Sequence, residues 1–326
     1  MQPWLVFAAS AGAVIVAGSF LAQFADVLAE RTGLGRLWMG TVVVAMVTSL
    51  PELVTDVSAV RQGALDLAVG DLFGSSMTNM AILGGLGLVF PARRLLQGVA
   101  LENVLTASLA ILLTILAVLF LTMRSHTGVG PIGLGPLLIG FTWLVGMGGL
   151  REAHIAAGKH AHASEHTMTL RAALAGFVVT GAVIFAAGPF LADSASEIAL
   201  KTGLGEMFFG TVAVAMVTSL PELVVSASAV RMGALDLALG NLFGSNASNM
   251  TILLALDVAY TDGKILSVVD AALAVPALAA VGLMTIGIAA IVMKAERQRI
   301  PFDLSAAAIL VGYVLGMVAV YDATVP

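Results

Sequence analysis

Fifty consecutive residues of this chain occur twice. Residues 31–80 align with 201–250 without a gap, at an offset of 170, and 35 of the 50 positions are identical. The shared core reads GTVVVAMVTSLPELVTDVSAVRQGALDLAVGDLFGSSMTNM from Gly40 and GTVAVAMVTSLPELVVSASAVRMGALDLALGNLFGSNASNM from Gly210. Agreement at that level requires an internal duplication, so the fold must use the same run of elements twice.

Composition decides the solvent in which those elements sit. Of 326 residues, 59% are hydrophobic and 11% charged, whereas a soluble domain carries about 25% charged residues. Fifteen Lys and Arg with twenty Asp and Glu cannot cover a globule of this size. That excludes a soluble enzyme, a nucleic-acid-binding protein and a disordered chain. Ten apolar stretches are long enough to span a bilayer: 3–25, 36–60, 66–90, 99–122, 129–149, 170–194, 206–230, 236–259, 267–293 and 303–321. Their continuous apolarity argues against a β-barrel, whose strands alternate. The expected fold is an all-α membrane protein of ten transmembrane helices. No Lys or Arg precedes Arg31, so residues 3–25 read as a retained span and not as a signal peptide. The only long polar segment, 150–169, divides the chain into five-helix halves, 1–149 and 170–326.

Basic residues orient the spans. With the N-terminus outside, eleven Lys and Arg fall in cytoplasmic connections and four on the other side. The positive-inside rule therefore predicts both termini outside and residues 150–169 as a cytoplasmic loop. The repeat offset covers five spans, an odd number, so the second copy enters the membrane upside down relative to the first. Inverted halves with a midplane site between them are the design of many secondary transporters.

Each copy carries a carboxylate deep in an apolar helix, Glu52 and Glu222, within TSLPE. An ionised group at the bilayer centre costs at least about 2.5–3.5 kcal/mol, and a duplicated cost of that kind points to use. Pro51 and Pro221 lack an N–H and break the helix beside each glutamate, which frees carbonyl oxygens. Such backbone is tolerated at membrane depth only where it is buried or lines a cavity. Thr48, Ser49, Thr218 and Ser219 add hydroxyls within a turn of each break. The next helix of each copy offers Ser75 and Asn79, matched by Ser245 and Asn249, four apart and so on one face. The shell is all oxygen, suited to hard cations. The plainer reading of the Asn and Ser side chains is interhelical hydrogen bonding and packing.

TSLPE followed by G-[DN]-L-F-G-S-x-x-x-N, twice and inverted within ten helices, resembles the α-repeats of the cation/Ca²⁺ exchanger superfamily, and most closely its prokaryotic Na⁺/Ca²⁺ exchanger branch. The resemblance implies that Glu52 and Glu222 hold Ca²⁺, helped by the backbone carbonyls of Ala45, Thr48, Ala215 and Thr218. It further implies that Ser49, Ser75, Ser219 and Ser245 line Na⁺ positions, with Asn79 and Asn249 flanking the centre. Sodium-coupled relatives commonly have Asp at one of these two Asn positions. Here Asp71 stands where the family usually has Asn, and Ser76 replaces a further Asn. Proton-coupled relatives usually carry a different motif, GNAxE. Na⁺/Ca²⁺ antiport is therefore the expected function, with H⁺/Ca²⁺ antiport as the alternative. The transported ions and the lipid bilayer are the expected partners, with no cofactor, no nucleic acid and a monomer sufficient for transport.

Competing classes fare worse. No His lies in a span, so intramembrane proteases lack their base, and no catalytic residue is expected. A channel would not need inverted broken helices. Asp66 and Asp236, at helix starts, read as caps, Asp56 as structural, and His154, His160, His162 and His166 as part of a solvated loop. Absence of Cys and the charge asymmetry fit a prokaryotic inner membrane.

Overall fold

Hydrocarbon offers no partner to a backbone amide, so a spanning chain satisfies its own hydrogen bonds, here by helices. The computed structural model describes residues 3–90, 102–156, 168–200, 214–296 and 302–324. Helix α1 covers Pro3–Thr32. A short helix α2 (Arg36–Trp38) runs through a π-helical segment, Met39–Val44, into α3 (Ala45–Thr48) and then α4 (Leu50–Arg61). Next come α5 (Leu65–Val89), α6 (Glu102–Met123), a small hairpin pairing Gly128–Val129 with Ile132–Gly133, α7 (Leu134–Ala156) and α8 (Leu170–Leu200). The second copy contributes α9 (Ala215–Thr218), α10 (Leu220–Arg231) and α11 (Leu235–Ala259). A short α12 (Ile265–Val268), a 3-10 turn at Ala271–Leu273, α13 (Ala274–Glu296) and α14 (Phe302–Thr324) follow.

Among the described residues, eight segments are long and apolar enough to cross a membrane. They match eight of the ten expected stretches. Of the other two, 206–230 begins outside the described residues. The stretch 236–259 forms the 25-residue helix α11, but Asp236, Asn241, Asn246, Asn249 and Asp257 leave it less apolar than the eight. Some boundaries move for local reasons. Gly128, Gly130 and Gly133 place a hairpin where a span was expected from 129, and α7 begins only at Leu134. Helix α7 runs into the central polar segment as far as Ala156, and α8 begins at Leu170, where that segment was expected to end. His160, His162 and His166 lie outside the described residues.

Polarity is distributed inside out. Phe20, Leu112, Phe141, Leu144, Val178, Val311 and Leu315 are exposed, while Glu52, Asp56, Asp71, Asn79, Glu222, Asn241, Asn246 and Asn249 are wholly buried. An apolar coat around a polar interior is stable only in lipid.

The two copies clasp each other. Helix α3 and the π-helical segment pack against α11 of the second copy, and α9 packs against α5 of the first. Close approach depends on glycine. A Cβ at Gly40 would come within 2.5 Å of the Leu237 carbonyl oxygen, and one at Gly240 within 2.8 Å of that of Leu37. Outside this centre, α1 lies along α8 and α10, and α13 and α14 lie against α5.

Polar tethers fix the ends of the bundle. Arg36 grips Asp26 through Nε at 2.5 Å and Glu30 through Nη2 at 3.1 Å, which holds the turn from α1 into α2. Asp257 accepts from the amides of Gly133 and Ile265, both at 2.7 Å, and so joins the hairpin to α12. Asp66 and Asp236 lie in the first turn, where the helix dipole favours an acid, but they are not the capping residues. Ala64 and Ala234 occupy the cap positions, while Asp66 accepts from the Asp270 amide and Asp236 from Asn103 Nδ2.

Candidate ion-binding site

The two TSLPE segments break their helices in the same way. Ser49 has φ −84° and ψ 5°, and Ser219 has φ −80° and ψ 9°, away from helical values. Each Pro then sits in the first turn of the new helix, where its missing N–H removes no helical bond. Glu52 and Glu222 lie in that same first turn, where the helix dipole favours negative charge. The sequence thus places two carboxylates at two positive helix ends inside the protein.

Burial is nearly complete across the expected set. Ala45, Thr48, Glu52, Ser75, Asn79, Ala215, Ser219, Glu222, Ser245 and Asn249 are fully buried, with Thr218 and Ser49 almost so. Neither carboxylate oxygen of Glu52 has a hydrogen-bond partner, nor do Glu222 Oε2, Ser49 Oγ, Ser219 Oγ and both amide atoms of Asn249. Ser245 Oγ donates to Glu222 Oε1 at 3.2 Å. Unsatisfied polar atoms deep in a protein are rare and costly. Their concentration here, three of them carboxylate oxygens, makes this interior the candidate site for a positively charged ligand.

The hydroxyls link the copies in a crossed pattern. Thr48 Oγ1 donates to Asn241 Oδ1 at 3.2 Å and lies 3.3 Å from Ser245 Oγ. Thr218 Oγ1 donates to Asp71 Oδ1 at 3.2 Å and lies 3.3 Å from Ser75 Oγ. Each break therefore meets the opposite copy's second helix. The Ala45 and Ala215 carbonyls are not vacant: each accepts a backbone amide, from Ser49 at 3.0 Å and Ser219 at 3.1 Å, and lies 3.3 Å from the hydroxyl of Thr48 or Thr218, an alternative acceptor for its single proton.

Asn79 and Asn249 do not pair with each other. Asn79 Nδ2 donates to Asn246 Oδ1 at 2.9 Å, and Asn246 Nδ2 donates back to the Ser76 carbonyl at 3.4 Å. Asn246 and Asn241 escaped the sequence reading. Their one signal was that the copies differ there, with Ser76 opposite Asn246 and Asp71 opposite Asn241. Among the described residues, no three Asp, Glu or His side chains converge as in a compact metal cluster. A cation here would be shared among carboxylates, hydroxyls and carbonyls.

Duplicated broken helices, with buried carboxylates at their ends and an apolar coat, define a multi-pass membrane transport protein. The family described as sodium/calcium exchanger protein matches residues 2–148 and 172–321, and the chain belongs to that family. It is 32% identical over 257 residues to CaxA of Alkalimonas amylolytica, which carries the name of an antiporter, with 77% of each chain covered. It is 28% identical over 259 residues to the inner membrane protein YrbG of Escherichia coli, covering 77% of this chain and 78% of that one. The sodium/calcium exchanger MaX1 of Methanosarcina acetivorans is 26% identical over 275 residues, covering 74% and 79%. A solved structure of the sodium-calcium exchanger NCX_Mj superposes with a TM-score of 0.72 at 18% identity over 98% of both chains, so the fold is shared. Family membership makes the chain a transmembrane cation antiporter and sets it among transporters, not enzymes.

Proposed function

We propose that the protein exchanges Na⁺ for Ca²⁺ by alternating access at a site near the middle of the membrane, between two inverted halves. The observation that carries this reading is the pair Glu52 and Glu222, fully buried and with three of their four carboxylate oxygens unpartnered. In this reading Ca²⁺ is held by both glutamates with carbonyl oxygens of Ala45, Thr48, Ala215 and Thr218. Na⁺ uses the hydroxyls of Ser49, Ser75, Ser219 and Ser245, and Asn79 and Asn249 border the centre. An empty site leaves two charges unpaired in low dielectric, and a buried unpaired charge costs several kcal/mol. The empty protein therefore reorients poorly, and filled sites reorient readily, which is the origin of coupling.

Five candidate spans separate the start of the first copy from the described part of the second, which supports inversion. Counting α9–α10 and α11 as spans gives ten, with halves 1–149 and 170–326, a cytoplasmic loop at 150–169, both termini outside, and a single chain as the transporting unit in a prokaryotic inner membrane.

A second reading, H⁺/Ca²⁺ antiport at the same glutamates, is favoured by one observation: both central positions are Asn, not Asp. The deciding experiment is ⁴⁵Ca²⁺ uptake into proteoliposomes, driven separately by outward Na⁺ and outward H⁺ gradients. Uptake with Na⁺ alone is expected. It should fall at least about 100-fold in Glu52→Gln and in Glu222→Gln, since losing one partner of a buried charge set costs about 3–5 kcal/mol. Uptake driven by protons alone would replace the first reading with the second.

A further inference from the structure

The two asparagines that border the centre are held unequally. Asn79 Nδ2 donates to Asn246 Oδ1 at 2.9 Å, and Asn246 Nδ2 donates to the Ser76 carbonyl at 3.4 Å. Neither atom of the Asn249 amide has a partner. One difference between the copies accounts for this. The residue aligned with Asn246 in the first copy is Ser76, whose hydroxyl is spent on the Leu72 carbonyl of its own helix at 3.0 Å. Where Asn79 meets a second amide, Asn249 has none.

An amide presents oxygen at one end and N–H at the other, and only the oxygen suits a hard cation. A carbonyl oxygen can only accept, so the Asn246 atom beside Ser76 must be its nitrogen. The other end of Asn246 is then oxygen, and the Asn79 atom that meets it must be nitrogen. That leaves Asn79 Oδ1 as the last atom of the chain, buried and without a partner. Asn79 shares a face of α5 with Ser75, which lies 3.3 Å from Thr218 Oγ1 at the second break. Without Asn246 the Asn79 amide would be free to turn over. Its N–H₂ would then be offered to an interior that holds three unpartnered carboxylate oxygens, of Glu52 and Glu222. A cation would have to break that bond before it could bind.

We propose that Asn246 is a positioning residue that locks the Asn79 amide with its oxygen toward the central cation, while Asn249 has no such lock. The proposal deepens the reading of the central site given above and rests on it.

Half-saturating ⁴⁵Ca²⁺ and ²²Na⁺ concentrations are measured for the full-length protein and for N246S, N79D and N79D/N246S. Serine is the residue that the first copy already carries at this position. In N79D both ends of the side chain are oxygen, so nothing is left for Asn246 to orient. N246S should raise the half-saturating concentration of at least one ion about tenfold, the worth of a hydrogen bond to a charged group. On the N79D background the same change should raise neither by more than about twofold. An equal rise in both backgrounds would reduce Asn246 to packing and overturn the proposal, as would the absence of any rise in the parent. N246A supplies the same cycle if N246S does not fold. Glu52→Gln and Glu222→Gln in the same assay judge the central site itself. Surviving ⁴⁵Ca²⁺ binding there would sink the antiport reading and this proposal with it, whereas its loss, together with equal rises in the cycle, would overturn the role of Asn246 alone.

Discussion

Glu52 and Glu222 are the same residue twice, but only one of them is met by a hydroxyl: Ser245 donates to Glu222, and nothing donates to Glu52. At this scale the copies have diverged around a conserved pair of charges. Asn246 is the clearest case, because it answers Asn79 across the interface with one atom and the Ser76 carbonyl with another. Asn246→Ala would leave the buried Asn79 amide without an acceptor, which costs about 1–3 kcal/mol. A lowered thermal midpoint in detergent is the expected readout, and an unchanged midpoint would show that the amide finds another partner. The glutamates were legible from sequence because a carboxylate in an apolar helix is anomalous by itself. Asp56 facing Asp71 was not. They lie fifteen positions apart on two helices, and only the packing of α4 on α5 brings them together. The Asn79–Asn246 bond was equally hidden, since the first copy has Ser76 at the position of Asn246.

Among elements, the broken helices were foreseeable and their surroundings were not. Pro51 and Pro221 announced a break, and the matching backbone angles at Ser49 and Ser219 follow from the duplicated sequence. The π-helical turn at Met39–Val44 had no signal in an unbroken apolar run. The hairpin at 128–133 was concealed by apolar neighbours, although its glycines were visible. Asp66 and Asp236 looked like caps because acids favour a helix start, and their partners on distant segments are set by tertiary packing alone. The clasp between the π-helical segment and α11 carries its own prediction. At Gly40 the obstacle to a side chain is the Leu237 carbonyl, which is backbone and cannot rotate aside. Gly40→Val should therefore destabilise by about 1–3 kcal/mol through overpacking, read as a lower thermal midpoint. A variant as stable as the parent would mean that the two segments can separate at little cost.

At the level of the whole molecule, topology is the quantity to test, and the chain is well suited to the test because it contains no Cys. Single substitutions S125C, beside the hairpin, and T169C, before α8, should react with an impermeant thiol reagent from opposite sides of the membrane. Labelling from the same side would overturn the five-span separation and with it the inversion. The reciprocal clasp has a consequence for ancestry. Helix α3 meets α11 and α9 meets α5, so neither half completes a site by itself. With the halves inverted as proposed, descent from one sequence implies a forerunner half as long whose product inserted in both senses and paired with an oppositely inserted copy of itself. Fusion would then have fixed one orientation for each copy and left positions such as 56 and 71 free to differ from 226 and 241.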